Sequence, residues 1–160
     1  MPEIFPAVGQ IAPDFTLPDQ NGNDIQLSGF RGTHPVIIYF YPRADTPGCT
    51  LEACNFRDSY APLKETGAVI LGISPDTVGK QMKFAVKYDL PFPLLADSEH
   101  KIADLFGVWK EKRFMGKNYM GVERTTFLID REGVVRRIFE KVSVPGHVQE
   151  VLSAIHEISR

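Results

Sequence analysis

Two cysteines in 160 residues are too few for a disulfide scaffold. Four residues separate Cys49 from Cys54, so the tighter Cys-x-x-Cys spacing is missing as well. Excess basic charge is also absent. The formal net charge is −2, which leaves no cationic surface suited to nucleic acid or an anionic membrane. The longest apolar runs, "VIIYF" and "AVILGI", are far too short to span a bilayer. The opening "MPEIFPAVGQ" has neither the charged nor the apolar region of a secretory signal. These absences predict a cytoplasmic setting, where a close pair of thiols is more often redox-active or metal-binding than structural. No repeat, linker or low-complexity tract divides the chain, so a single domain over residues 1–160 is expected.

The composition is ordinarily globular, with 43% hydrophobic and 24% charged residues. "PDFTLPDQNGNDIQLS" reads as two short strands around a type I′ turn at Asn21 and Gly22. "HPVIIYFYP" reads as a buried central strand that stops at Pro42. A helix is predicted over about residues 47–64, then a strand over 68–74 and a helix over about 77–88. A short helix follows at about 101–106, with "RTTFLID" and "VVRRIFE" as two more strands. Val148, Val151, Leu152 and Ile155 at helical spacing predict an amphipathic closing helix over about 147–158. Residues 110–121, "KEKRFMGKNYMG", read as the longest irregular loop. Alternating strands and helices predict a mixed sheet with helices on both faces.

The chemistry concentrates in "DTPGC". Thr46 suits an N-cap and Pro47 a first helical position. Cys49 then lies beside free backbone N–H groups and the positive end of the helix dipole, which favours a thiolate, the nucleophilic form. Cys49, Ala53, Phe56, Tyr60 and Leu63 share one helix face, which predicts packing on the sheet. Cys54 points roughly 140° away, and the two Cα atoms lie roughly 8.7 Å apart on an intact helix. A disulfide needs less than about 7 Å, so the pair can bridge only if the helix start unwinds. Two structural cysteines or a zinc site are the alternatives. Zinc wants about four close ligands, whereas His34, His100, His147 and His156 are scattered.

"PRADTPGC" has the form Pro-x-x-x-Thr-x-x-Cys, which resembles the active-site signature of the peroxiredoxins. The longer "YFYPRADTPGCTLEACNFRD", with "PDFTLPDQNG", "GISPD", "YDLPFPLLAD" and "MGVERTTFLID", is similar to the peroxiredoxin Q class, also called bacterioferritin comigratory proteins. The likeness covers nearly the whole chain. It implies a thioredoxin-like α/β fold with an added N-terminal β-hairpin. It also implies a thiol peroxidase acting on hydrogen peroxide and organic hydroperoxides, without metal or organic cofactor. Carried over by position, Cys49 is the peroxidatic thiol and Cys54 the resolving thiol. Thr46 and Arg124 hold the thiolate and peroxide oxygens, Pro42 walls the pocket against water, and Glu52 orients the arginine. The resemblance further implies a monomer recycled by a thioredoxin-like dithiol. Two departures are small: "RAD" stands where many relatives carry Lys-Asp-Asp, and the resolving cysteine varies within the class.

An ordinary thiol with a pKa of about 8.5 is roughly 3% thiolate at pH 7, so full ionisation accelerates attack only about 30-fold. That is about 2 kcal/mol of barrier, too little for an efficient peroxidase. Donors aimed at the departing oxygen must supply more, and Arg124, Thr46 and helix N–H groups are suited to that charge. A dithiol oxidoreductase is the rival within redox chemistry. Such proteins usually show Cys-x-x-Cys and a proline before the facing strand, where this chain has "MGVERTT". A zinc-binding or peroxide-sensing interaction protein is the rival from another class.

Overall fold

The run Val36–Phe40 (β3) is buried at all five positions, so both of its faces must be covered. The computed structural model describes residues 6–159 and places β3 at the centre of a five-stranded sheet. Residues 1–5, half of the "MPEIFPAVGQ" segment, and residue 160 lie outside the described residues. The sheet order is β5-β4-β3-β8-β9, with β4 at Val69–Ser74, β5 at Leu94–Ala96, β8 at Thr125–Ile129 and β9 at Val135–Phe139. β3 pairs parallel with β4 and antiparallel with β8, so the sheet is mixed, as the alternating pattern predicts.

Alternation along β3 sorts the core into two layers. Ile37, Tyr39 and Tyr41 face one layer, built with α1 (Pro47–Asp58), α2 (Tyr60–Glu65), α3 (Val78–Lys87) and α5 (His147–Ile158). Val36, Ile38 and Phe40 face the other, with Phe15, Leu17 and Leu27 from the N-terminal segment and Ala103 and Phe106 from the region of α4 (Lys101–Leu105). In α5 the apolar stripe Val148, Val151 and Ile155 is buried, as its spacing requires.

Four elements differ from the sequence reading. The helix from Pro47 ends at Asp58, and a separate turn of helix begins at Tyr60. Pro62 is the physical reason: its ring clashes with the carbonyl of Asp58 four residues back and offers no N–H. The N-terminal hairpin exists as β1 (Thr16–Pro18) and β2 (Asp24–Gln26), but without a type I′ turn. Residues 19–23 form a wider loop in which Asp19 Oδ1 accepts from the N–H groups of Asn21 (2.9 Å) and Asn23 (3.0 Å). Residues 110–121 are not an irregular loop. They lie in a second hairpin, β6 (Trp109–Phe114) and β7 (Lys117–Val122), whose two-residue turn has φ 51° at Met115 and 77° at Gly116. Both signs are positive, as a type I′ turn demands. Finally, β5 is a three-residue strand preceded by Pro91 and Pro93, too short to show a period.

The sheet interior is tightly filled. A Cβ added at Gly72 would lie 2.9 Å from both Cζ and Oη of Tyr39 and 3.0 Å from Leu94 Cδ2. Gly72→Ala should therefore destabilise the protein by about 1–3 kcal/mol, from overpacking against buried side chains. A urea melt reads this directly, and an unshifted midpoint would contradict the packing described.

Candidate active site

The loop from the end of β3 into α1 carries Pro42, Thr46 and Cys49. Pro42 is half-buried directly after Tyr41. Thr46 is the N-cap of α1 by position, with extended φ −96° and ψ 156°, and Pro47 follows at the start of the helix. The capping expectation needs correction. The Thr46 hydroxyl donates instead to the carbonyl of Arg43 at 2.8 Å, and no side-chain oxygen caps the helix. Thr46 thus takes none of the first-turn N–H groups, and its own lone pairs stay available as acceptors.

Cys49 lies in the first turn and is 2% exposed, with Ala53 and Phe56 buried along the same face. Tyr60 and Leu63 continue that face only across the break, on α2. Cys54 is half-buried and, like Cys49, a free thiol. The helix between them is unbroken.

Arg124 enters from the short connection between β7 and β8. Its Nη2 lies 3.5 Å from Cys49 Sγ, and its Nη1 donates to Glu52 Oε1 at 2.7 Å. One guanidinium therefore bridges two side chains a helical turn apart. Gly48 makes room for it, since a Cβ there would sit 3.1 Å from Nη2. The hairpin β6–β7 fastens the strand that delivers Arg124. Lys112 Nζ donates to Val122 O at 2.6 Å, Lys110 Nζ to Glu123 Oε2 at 2.7 Å, and Glu123 N to Val108 O at 2.8 Å. The sequence does not point to these lysines, because charge on both faces of the β6–β7 hairpin hides its strand period.

Glu52 is fully buried, and its Oε2 has no hydrogen-bond partner. Burial pushes its carboxyl up to about 7, against the opposing pull of Arg124. Burial alone would weaken the charge on Arg124, but Glu52 and the Cys49 sulfur beside it outweigh that and favour the cation. Among the described residues, no group of three or more His, Cys, Asp and Glu side chains could hold a metal ion. No described helix is long and apolar enough to cross a membrane.

The raised value at Glu52 makes a thermodynamic prediction. The native state holds this proton more tightly than an open chain, whose carboxyl titrates at about 4.5. The associated stability is complete below about 4.5 and is lost as pH rises through about 7. Glu52→Gln removes that linkage. Unfolding free energies of parent and variant, measured in urea from pH 4.5 to 7.5, should diverge across this window by on the order of a few kcal/mol. Parallel curves would mean that Glu52 is ionised throughout.

Comparisons with known proteins identify the family. The sequence profile of the AhpC/TSA family matches residues 8–138. Peroxiredoxin Bcp of Bacillus subtilis is 49% identical over 152 residues, covering 95% of this chain and 96% of the relative. Peroxiredoxin Bcp of Escherichia coli K12 is 46% identical over 149 residues, covering 93% of this chain and 95% of its own length. Among solved structures, peroxiredoxin Q of Xanthomonas campestris superposes with a TM-score of 0.86 at 38% identity, over 91% of this chain and 92% of that one. Peroxidoxin BcpB of Mycobacterium tuberculosis gives 0.84 at 41% identity, over 94% and 97%. At these identities and coverages the chain belongs to the AhpC/TSA family, among the peroxiredoxins of the bacterioferritin comigratory, or Q, class.

Proposed function

We propose that Cys49 is the nucleophile of a thiol-dependent peroxidase and that Cys54 resolves its product. The chain, as a peroxiredoxin, is a peroxidase of the oxidoreductases. The observation that carries the assignment of Cys49 is the Arg124 guanidinium, 3.5 Å from a sulfur buried in the first turn of a helix. The Cys49 thiolate attacks the distal oxygen of ROOH. The O–O bond breaks, an S–O bond forms, and the departing RO⁻ takes a proton to leave as ROH. Charge grows on that departing oxygen, where Arg124 and the open N–H groups of the first turn act as donors. The Thr46 hydroxyl, its proton held by Arg43, accepts from the peroxide O–H and orients it. Pro42 shields the sulfur from water, and Glu52 holds the guanidinium plane in register with it.

Cys49 is left as a sulfenic acid. The Cys54 thiolate attacks its sulfur, hydroxide leaves as water, and an intramolecular disulfide remains. A dithiol of the thioredoxin type reduces the disulfide by exchange, with no metal or organic cofactor. The substrates are hydrogen peroxide and organic hydroperoxides. In support, a Xanthomonas campestris bacterioferritin comigratory protein, 37% identical to this chain, has been described for alkyl peroxide reduction. We place the whole cycle in one domain over residues 1–160, acting as a cytoplasmic monomer without nucleic-acid or membrane partners.

Cys49→Ser should abolish peroxide reduction while the fold survives; near-parent peroxide consumption would remove Cys49 from the role. Cys54→Ser should retain the first step in single turnover, lose recycling, and accumulate over-oxidised Cys49, visible by intact mass. Arg124→Lys keeps the charge but not the planar two-pronged contact, and should slow the peroxide step by about 10²-fold or more. An unchanged second-order rate constant with hydrogen peroxide would place Arg124 outside the chemistry.

A disulfide between Cys49 and Cys54 cannot form on an intact helix, whose geometry holds their Cα atoms roughly 8.7 Å apart. Amide hydrogen exchange should therefore show residues 46–55 losing protection on oxidation, while β3 and β4 keep theirs. Equal protection in both states, with the bond confirmed, would refute the unwinding.

A further inference from the structure

The loop between β3 and α1 has few fixed points. Tyr41 N donates to Ile73 O at 3.0 Å and extends the sheet by one bond, and Thr50 N to Thr46 O at 2.8 Å opens the helix. Between them, Asp45 takes a left-handed φ of 60°, and its carboxylate ties to Lys87 Nζ and the Tyr88 hydroxyl at the surface, each at 2.9 Å. The buried fixed point is Asp76, which is 6% exposed in the turn after β4. Its Oδ2 accepts the Ala44 N–H at 2.8 Å.

That N–H belongs to the peptide unit joining Arg43 to Ala44. The carbonyl of the same unit accepts the Thr46 hydroxyl at 2.8 Å. One planar group is therefore gripped on its N–H side by a carboxylate and grips Thr46 on its C=O side. A hydrogen bond from the N–H to a carboxylate polarises the amide and strengthens its carbonyl as an acceptor. Rotation of this unit would swing the carbonyl away and release the Thr46 proton.

Asp76 is itself held from behind. The Ser74 hydroxyl donates to the same Oδ2 at 2.6 Å, and Gln81 Nε2 donates to Ser74 Oγ at 2.8 Å. Gln81, fully buried on α3, is held by Leu95 O at 2.9 Å, and its Oε1 accepts from the Tyr41 hydroxyl at 2.5 Å. Each of these polar side chains has a partner, a buried chain that runs from α3 through the end of β4 to the loop. A network this complete in a dry core is rigid, because any member that moves leaves a desolvated group unpaired.

We infer that Asp76 is a positioning residue for the peroxide step, fixing the Thr46 hydroxyl through the peptide unit between Arg43 and Ala44. The inference rests on the reading of Thr46 as the group that orients the peroxide. Among the described residues Asp76 makes no hydrogen bond or ion pair with Cys49 or Arg124, so its effect on the peroxide step is routed through Thr46.

A double-mutant cycle tests this, with the second-order rate constant of the reduced protein for hydrogen peroxide as readout, in single turnover. Asp76→Ala should slow the reaction about 10- to 100-fold, the scale of misplacing a group at the reacting centre. Asp76→Asn keeps an oxygen for the Ala44 N–H and should stay within about threefold of the parent. Thr46→Val should also be slow. In that background Asp76→Ala should cost less than about twofold more, since coupled residues do not add. Asp76→Ser, too short to reach the Ala44 N–H, substitutes with the same expectations if Asp76→Ala does not fold. An undiminished Asp76→Ala loss in the Thr46→Val background, no loss in the parent, or an Asn variant as slow as the Ala one would each overturn the role of Asp76. Thr46→Val at the parent rate would instead overturn the reading of Thr46 itself.

Discussion

A single guanidinium divided between a buried carboxylate and a buried sulfur is the constraint on which the site depends. Arg124 cannot be placed there cheaply. It must leave water, and so must Glu52, which is fully enclosed with one oxygen unpartnered. Pairing offsets part of that cost, but a buried pair seldom stabilises a fold over an apolar alternative. The arrangement makes sense as preorganisation. A donor held next to sulfur before the peroxide arrives need not reorganise as negative charge develops. The fold supplies the clamps: Gly48 leaves the space, and the β6–β7 hairpin ties down residues 122–123 through Lys110 and Lys112. This gives that hairpin, exposed over most of its length, a reason to lie beside the sheet.

The same economy explains the cysteine spacing. A Cys-x-x-Cys pair at a helix start can close with the helix intact, which suits rapid dithiol exchange. Two more residues of separation forbid this while α1 is folded. On the proposed assignment, Cys49 then meets the peroxide alone in its pocket, and the second thiol acts only after the helix opens. Proximity in sequence with separation in space is what divides the two steps.

Much of this was legible in the chain. β3 announced itself by an unbroken apolar run, α5 by its stripe, and the place of Cys49 in a first helical turn by a Thr-Pro-Gly-Cys start. Arg124 was legible only through resemblance, since nothing in "GVERTT" distinguishes it from an arginine in a surface ion pair. What failed to show was partly a local signal outweighed by another and partly tertiary in origin. The break after Asp58 needed Pro62 to be weighed against a favourable stripe. The β6–β7 hairpin carries charge on both faces, so it has no period to detect. Thr46 matches an N-cap by type and position, yet its hydroxyl is drawn to Arg43, a choice made by loop geometry rather than by residue identity. Asp76 and Gln81 carry no signal of their own in the sequence, because a buried network spanning α3, β4 and the loop leaves no local pattern.

How far α1 can open is decided by comparing two costs. Each helix hydrogen bond given up to water costs about 1 kcal/mol, and opening the first turns also gives up the buried contact of Glu52 with Arg124. Phe56 is a different matter. Its ring stacks on Tyr39 with centroids 4.6 Å apart and meets Phe92 and His147 edge-on, each at 6.4 Å. Emptying a buried phenylalanine site costs on the order of 3–5 kcal/mol, as much as several helix bonds together. Arg57 adds a further tie, donating to Tyr88 O at 2.8 Å. Unwinding that begins at the loop therefore spares the aromatic anchor up to Asn55 and meets it beyond. Cys54 lies one residue short of that boundary. For the proposed Cys49–Cys54 disulfide, the aromatic anchor keeps the rest of α1 on the sheet while the turns that carry both thiols open, so that the helix can refold once the bond is reduced.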